Sequence, residues 1–412
     1  MKILRLLFAA SSLLALFAFV ACGDDDGGGN GDNSDRSDSR EKDEPTATTK
    51  TEPTAAAATA TPAKTGLQAD DLLAALLVPT EVAKPGTEAS LWQRFPEVSS
   101  AGYNIDPANV DKGELAWVYV EWAVPATKDG DPVRGRLRQS LQYFQDEASA
   151  IEAHKSHVQK DQDDWDAKVV PGEQVGDESA YLTLKDAGDK ATPYITTLRF
   201  RVGRLVGRIE SARADTYDRS DTMRTMAGPL ASKVRALLDG TLKAKPVPES
   251  LAKLMPPANA GKGAGPLLAS ITRPAEAFAL IDGSGKPRAV RSRLETYGAT
   301  ELGWQAYGLD ADKTQAVTAT LFPMSNVASA EAWAREFVNH VKGSAGALDS
   351  GKTGTLSAFT SNGGEFYELQ FAKGKNATSI TCSNAVDPKA TSPKCEEAVR
   401  KIAEAWYASL PE

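Results

Sequence analysis

Histidine is almost missing from this chain: there are three in 412 residues, His154, His157 and His340. Triad chemistry and imidazole-rich metal sites therefore have few candidates. No Gly-x-Ser-x-Gly elbow and no His-Glu-x-x-His pair is present, so two local signatures of hydrolytic sites are excluded. A basic excess is missing too. The 47 Lys and Arg stand against 55 Asp and Glu, a net charge of −8, and nothing in that balance points to nucleic acid. No apolar run reaches the roughly 20 residues that a helix needs to cross a bilayer core. Cysteine is scarce, with only Cys22, Cys382 and Cys395.

What is present at the start is layered. Lys2 and Arg5 precede a mostly apolar run over residues 6–21, and Cys22 is followed at once by Gly23 and three aspartates. A basic start, an apolar segment and small residues at its end make a signal-peptide layout over residues 1–21. Phe19, Val20, Ala21 and Cys22 resemble a bacterial lipobox, with Phe19 standing where the usual residue is Leu. The resemblance implies that Cys22 is acylated, becomes the new N-terminus and holds the chain to the extracytoplasmic side of the cell membrane. Ordinary secretion, with a cut after Gly23, is the alternative. Acyl chains bind by burying methylenes at about 0.8 kcal/mol each, and stable anchoring takes more than one chain. The diacylglycerol that the resemblance implies meets that need.

Removing Cys22 leaves Cys382 and Cys395. An even remainder in an exported chain reads as a disulfide, with two free thiols as the alternative.

Residues 23–66 are rich first in Asp, Ser and Gly and then in Thr, Pro and Ala. Such composition buries too little surface to offset chain entropy, so a disordered tether is expected. As a flexible coil its 44 residues reach roughly 35 to 40 Å. Seven Asp and three Glu against five Lys or Arg argue against adhesion to anionic lipid, which leaves the acyl chains as the membrane contact.

The 346 residues from Leu67 onward are too many for one ordinary core. Lys, Pro, Ala and Gly dominate residues 243–266, which are read as a linker between domains at 67–242 and 267–412. The two halves look alike. Leu141-Gln142-Tyr143-Phe144 leads to Ala148-Ser149-Ala150, and Leu321-Phe322-Pro323-Met324 leads at the same spacing to Ala328-Ser329-Ala330. Phe200, Gly203 and Ile209 match Phe371, Gly374 and Ile380, each set suggesting two strands turning at a glycine. Helical spacing follows both central matches and closes both halves, over residues 221–238 and 394–410. Each half reads strand, strand, helix, three strands, helix. The predicted class is α+β: two tandem, duplicated domains, each an antiparallel sheet with helices packed on one face. Element order and polar alternation resemble the sensor-type α+β domains of actinobacterial lipoproteins and receptor kinases. That resemblance implies an extracytoplasmic setting and assigns no functional residue.

The sharpest motif is Gly346-Ala347-Leu348-Asp349-Ser350-Gly351-Lys352-Thr353, which fits the P-loop pattern letter for letter. A P-loop needs a strand before it and a helix after it, so that amides at the helix start cradle phosphate. Here the expected order is helix then strand, and no nucleotide or other cofactor is expected. Gly261-Lys262-Gly263-Ala264-Gly265 reads as linker flexibility. His154 and His157 share a helix face near Asp161, Asp163, Asp164 and Asp166, but Lys155 and Lys160 among them point to a solvated helix end, and no metal is expected. Glu173, Asp177 and Glu178 are abundant rather than paired. Asn376-Ala377-Thr378 matches a glycosylation acceptor that has little meaning in a bacterium.

Arg199, Arg201, Arg204 and Arg208 cluster in one predicted hairpin, with Arg213 beyond. Arg199 and Arg201 alternate with Leu198, Phe200 and Val202, which places them on one strand face, expected open to solvent. They form either a patch for an anionic ligand or charge that protects an edge. The second half lacks the cluster, carrying Gln370, Ala372, Lys375 and Ser379 instead. The expected function is a lipid-anchored, non-enzymatic protein that binds an envelope ligand or protein partner or has an envelope-structural role. The alternative is an envelope hydrolase with carboxylates that the sequence does not locate.

Overall fold

The computed structural model describes residues 66–412 apart from short stretches, the longest being 82–91, 104–112, 125–134 and 276–286. The signal peptide, Cys22, nearly all of the tether, the Asp129-Gly130 turn and Gly261 to Gly263 lie outside the described residues. Among the described residues no helix is long and apolar enough to cross a membrane.

Two antiparallel sheets carry the fold. In the first half, α1 (Ala69–Ala75) precedes β1 (Trp92–Gln93), β2 (Glu97–Ser100), β3 (Glu114–Val124) and β4 (Gly135–Phe144). Then come α2 (Glu147–Trp165), β5 (Lys168–Val170), β6 (Glu178–Lys185), β7 (Tyr194–Val202), β8 (Leu205–Arg213) and α3 (Ser220–Leu238). The second half holds α4 (Glu249–Ala252), β9 (Leu267–Pro274), α5 (Pro287–Thr296), β10 (Glu301–Leu309), β11 (Asp312–Pro323) and α6 (Val327–Val341). It ends with β12 (Ala347–Leu348), β13 (Ser357–Ser361), β14 (Phe366–Lys373), β15 (Asn376–Ser383) and α7 (Lys394–Ser409).

The first sheet runs β1-β3-β4-β8-β7-β6-β5, with β2 also paired to β3; the second runs β12-β13-β14-β15-β11-β10-β9. Read from opposite ends the two orders coincide, so the repeated motifs mark a repeated topology. Local chemistry repeats with it. Asp146 Oδ1 caps α2 by accepting from the Ser149 amide at 2.7 Å, and Asn326 Oδ1 caps α6 from Ser329 at 2.8 Å. Gly203 and Gly374, with φ of 53° and 55°, open the two-residue turns β7–β8 and β14–β15. Positive φ at that position is where glycine belongs.

The α+β class holds, with one correction: the helices cover both faces of each sheet. In the first sheet Leu141, Leu198 and Ile209 share a core with Leu230 and Val234 of α3. On the opposite face Phe144 and Val206 meet Ala150 and Ala153 of α2. In the second, Leu321 and Ile380 pack on Ile402 and Trp406 of α7, while Phe322 and Ala377 pack with Trp333 of α6. Strand alternation shows that a strand has two kinds of face. It does not show which helix covers each.

Part of the stretch read as linker is folded. Leu251 and Met255 belong to the core beneath α7, and Trp406 Nε1 donates to Leu254 O at 2.7 Å. The first half has the same clamp, in which Lys233 Nζ of α3 donates to Leu76 O just after α1 at 2.8 Å. The halves also touch. Asp70 Oδ1 of α1 accepts from the Ser270 amide of β9 at 2.9 Å, and one core runs from Leu72 and Trp122 to Ile271 and Trp304.

Cys382 and Cys395 stand as a disulfide between β15 and α7, with Cα atoms 5.5 Å apart and both residues buried.

Candidate functional site

The side chains that carry charge into the fold gather on one surface, the α2 side of the first sheet. Register places Glu121, Arg138, Glu210 and Thr197 in one row across β3, β4, β8 and β7. Tyr119, Ser140, Arg208 and Arg199 form the next. Apolar partners such as Val118, Val120 and Leu141 take the opposite face.

Arg138 ties the first row together. Its Nε donates to Glu121 Oε2 at 2.8 Å and its Nη1 to Glu210 Oε1 at 2.7 Å. Arg208 completes the quartet on the other oxygen of Glu210, and Tyr119 OH donates to Glu121 at 3.1 Å. Glu121 and Glu210 are almost wholly buried. Burial pushes the Glu210 carboxyl up, but Arg208 and Arg138 outweigh it and hold the group below its usual range.

The four arginines of the predicted patch do not come together as an open surface. Arg199 gives Asp161 of α2 two parallel hydrogen bonds, at 2.6 and 2.7 Å. Arg201 is 5% exposed and reaches Glu147 at 2.9 Å, Glu178 at 3.3 Å and Asp177 at 3.4 Å. Both were expected in solvent, yet they lie under α2. The helix read as solvated turns Asp161 and His154 inward, and Glu147 reaches Arg201 from its exposed first turn. Arg204 alone points outward, donating to Gln145 O at 3.2 Å and lying over the Tyr143 ring. Each of the other three faces a carboxylate, so the cluster carries no free positive field for an anion.

His154 is buried with its Nδ1 3.4 Å from Glu178 Oε2. Desolvation lowers its pKa, with Arg199 and His157 adding to the effect. Among the described residues no three His, Cys, Asp or Glu side chains gather as a metal site. The P-loop-like stretch runs from α6 to β13. The Lys352 amide donates to Glu404 Oε1 at 3.3 Å, so a carboxylate occupies the place where phosphate would have to sit. Asn376 is buried at the start of β15.

The second half repeats the sheet without the quartet of ion pairs; a carboxylate, Glu368, stands where Thr197 stands and accepts from Gln370 and Ser379. Ala306, Thr318 and Thr381 stand where Glu121, Arg138 and Glu210 stand, and Ser379 replaces Arg208. Beneath the helix, Gln370 and Val341 replace Arg199 and Asp161, and Ala334 replaces His154. A fold that forms without these charges does not require them. A buried ion pair is, besides, weak support for stability, since desolvation offsets most of the attraction.

Beside the quartet the surface is partly open. Trp117, Tyr119, Ser140 and Gln142 are half-buried, and the Trp117 and Tyr119 rings lie 6.0 Å apart at an interplanar angle of 16°. Side chains of Arg138 and Arg208 remain 19% and 23% exposed. A glycosidase-type reaction needs one carboxyl with a raised pKa. Here Glu210, and Asp161 against Arg199, are held low, which suits acceptors of hydrogen bonds rather than proton donors.

No family model matches the chain, and no curated protein matches it. Among solved structures it is similar to the extracellular domain of PknH from Mycobacterium tuberculosis, at 14% identity and a TM-score of 0.32, covering 42% of this chain and 99% of that one. It is also similar to MucB in complex with MucA(peri), at 11% identity and a TM-score of 0.16, covering 81% of this chain and 95% of that one. At these scores the likenesses carry no argument about this protein.

Proposed function

We propose that this chain is a lipid-anchored, extracytoplasmic binding protein, acylated at Cys22 and carried on a tether of residues 23–66. Its folded domains occupy residues 67–242 and 267–412, the second extended by Leu251 and Met255 of the intervening stretch, and the first presents the binding surface. The observation that supports binding is the contrast between the halves: one topology twice, the quartet of Glu121, Arg138, Glu210 and Arg208 once. The ordered signal-peptide zones, the lipobox-like residues and the buried Cys382–Cys395 pair support the address.

Intact mass of the protein extracted from its native membrane, beside a Cys22→Ser variant, tests the anchor. The expected result is a chain beginning at Cys22 with added acyl mass, and a variant that is released or remains an uncleaved precursor. An unlipidated chain beginning after Gly23 overturns it.

A further inference from the structure

α2 and α6 occupy the same place in the two halves but are held there differently. α6 sits on its sheet through Trp333, whose ring lies 5.4 Å from that of Phe322, and through buried Ala330, Ala334 and Val341. Its charges point elsewhere: Glu336 pairs with Arg293 of α5, Glu331 with Arg335 one turn on, and His340 is exposed. The buried residues of α2 are Ala150, Ala153, His154 and Asp161, two small side chains and two that titrate. The alanines meet Phe144 and Val206, and Val158 and Trp165 are partly buried farther along. What else fastens α2 is ionic: Asp161 on Arg199, Glu147 on Arg201, and His154 beside Glu178.

His154 is where acid acts on that hold. Neither of its ring nitrogens makes a hydrogen bond, and a protonated ring in the same place would add a charge and need acceptors for two donors. From β6 it faces Glu178, 3.4 Å from Nδ1, a carboxylate that already takes Arg201. From β7 come Arg199, with a backbone contact, and Arg201; α2 itself adds His157 and the Asp161 bonded to Arg199. Farther off on the same face, Arg208 and Glu210 of β8 and Arg138 of β4 are joined to one another. Burial, aided by Arg199 and His157, outweighs Glu178 and the backbone contact, so the ring is held below its ordinary pKa. The packed helix therefore favours the neutral ring, and opening that lets water reach it becomes easier as pH falls. Opening also carries Asp161 away from Arg199 and Glu147 away from Arg201. We infer that α2 is an acid-released cover: protonation of His154 lifts it from the first sheet and bares Arg199 and Arg201, while α6 stays in place.

The test is hydrogen exchange of the full chain, read by mass spectrometry and corrected for the intrinsic pH dependence of amide exchange. Between about pH 7.5 and about pH 5, protection of α2 should fall about tenfold or more, and that of α6 should hold within about threefold. His154→Asn and His154→Ala do not titrate at that position and should keep α2 protection level across the same range. Ring-proton NMR titration of the histidines in the unaltered chain covers the case in which both variants fail to fold. There the His154 midpoint should coincide with the midpoint of α2 release. Equal losses in α2 and α6, α2 protection that survives acid, an unchanged loss in both variants, or a midpoint apart from that of His154 overturns the inference. Loss of the lipid on Cys22, or of binding by the first domain, would leave this result as it is.

Discussion

Arg199 grips Asp161 with two parallel hydrogen bonds of 2.6 and 2.7 Å across the junction of α2 and the first sheet, where the second half places Gln370 and Val341. Two solutions to one packing problem thus coexist in a single chain, one an ion pair and one in which Gln370 turns instead to the Glu368 carboxylate at 2.7 Å. Asp161→Ala leaves the Arg199 guanidinium buried and unmatched, and should destabilise the protein by about 3 to 5 kcal/mol. The double variant Asp161→Val with Arg199→Gln imports the pair from the second half and should recover most of that loss. Urea unfolding of the three proteins checks this. A double variant no more stable than Asp161→Ala would mean that the halves are not interchangeable there.

His154 makes part of the stability depend on pH. Burial lowers its pKa below the ordinary 6.5, aided by Arg199 and His157 and opposed by Glu178 and a backbone contact at Arg199. A base whose folded pKa lies below its unfolded one favours the folded state while neutral. Its contribution is therefore present above about pH 6.5 and lost as pH falls. His154→Ala, which matches Ala334, should flatten the change in urea midpoint between pH 7.5 and pH 5. His340, also lowered by burial, keeps a residual slope. An unchanged slope in the variant would remove His154 from the account.

The disulfide closes a short loop, with a sequence separation of 13, for which chain entropy gives about 3 kcal/mol. Cys382→Ala with Cys395→Ala should lower stability by that order. Because both residues are buried, a reductant should act on the native protein far more slowly than on the unfolded chain. Thiol trapping over time, in buffer and in urea, separates the two rates.

Gly207 lies beneath the Phe200 ring, whose atoms come within 2.2 Å of where a β-carbon would stand. Gly207→Ala must displace a fully buried ring and should cost about 1 to 3 kcal/mol. Thermal unfolding measures it.

The class and the duplication were legible because they rest on local signals. Asp146 and Asn326 announce helix starts, Gly203 and Gly374 announce turns, and alternation around Leu198 and Phe200 announces strands. The quartet was not. Glu121, Arg138 and Glu210 are 17 and 72 residues apart along their bonded pairs, and only sheet order β3-β4-β8 brings them into one row. A trace was present in Tyr119 and Glu121 alternating with Val118 and Val120, and in Arg136 and Arg138 flanking Leu137. Arg199 and Arg201 were assigned to solvent because they alternate with Leu198, Phe200 and Val202, and alternation does not show that α2 covers the other face. The inner face of α2 is polar because its partners are. The residues around Leu251 read as linker because a helix of four residues leaves almost no periodicity to detect.

The clamp from Lys233 to Leu76, matched by that from Trp406 to Leu254, orders events during biogenesis. A polypeptide made from its N-terminus supplies every strand of the first sheet, and the helix that locks it, before β9 emerges. The second sheet then grows against a finished neighbour, with α1 already in place to receive β9. Arrest of the chain after residue 242 should thus yield a protease-resistant fragment, whereas arrest before α3 should not.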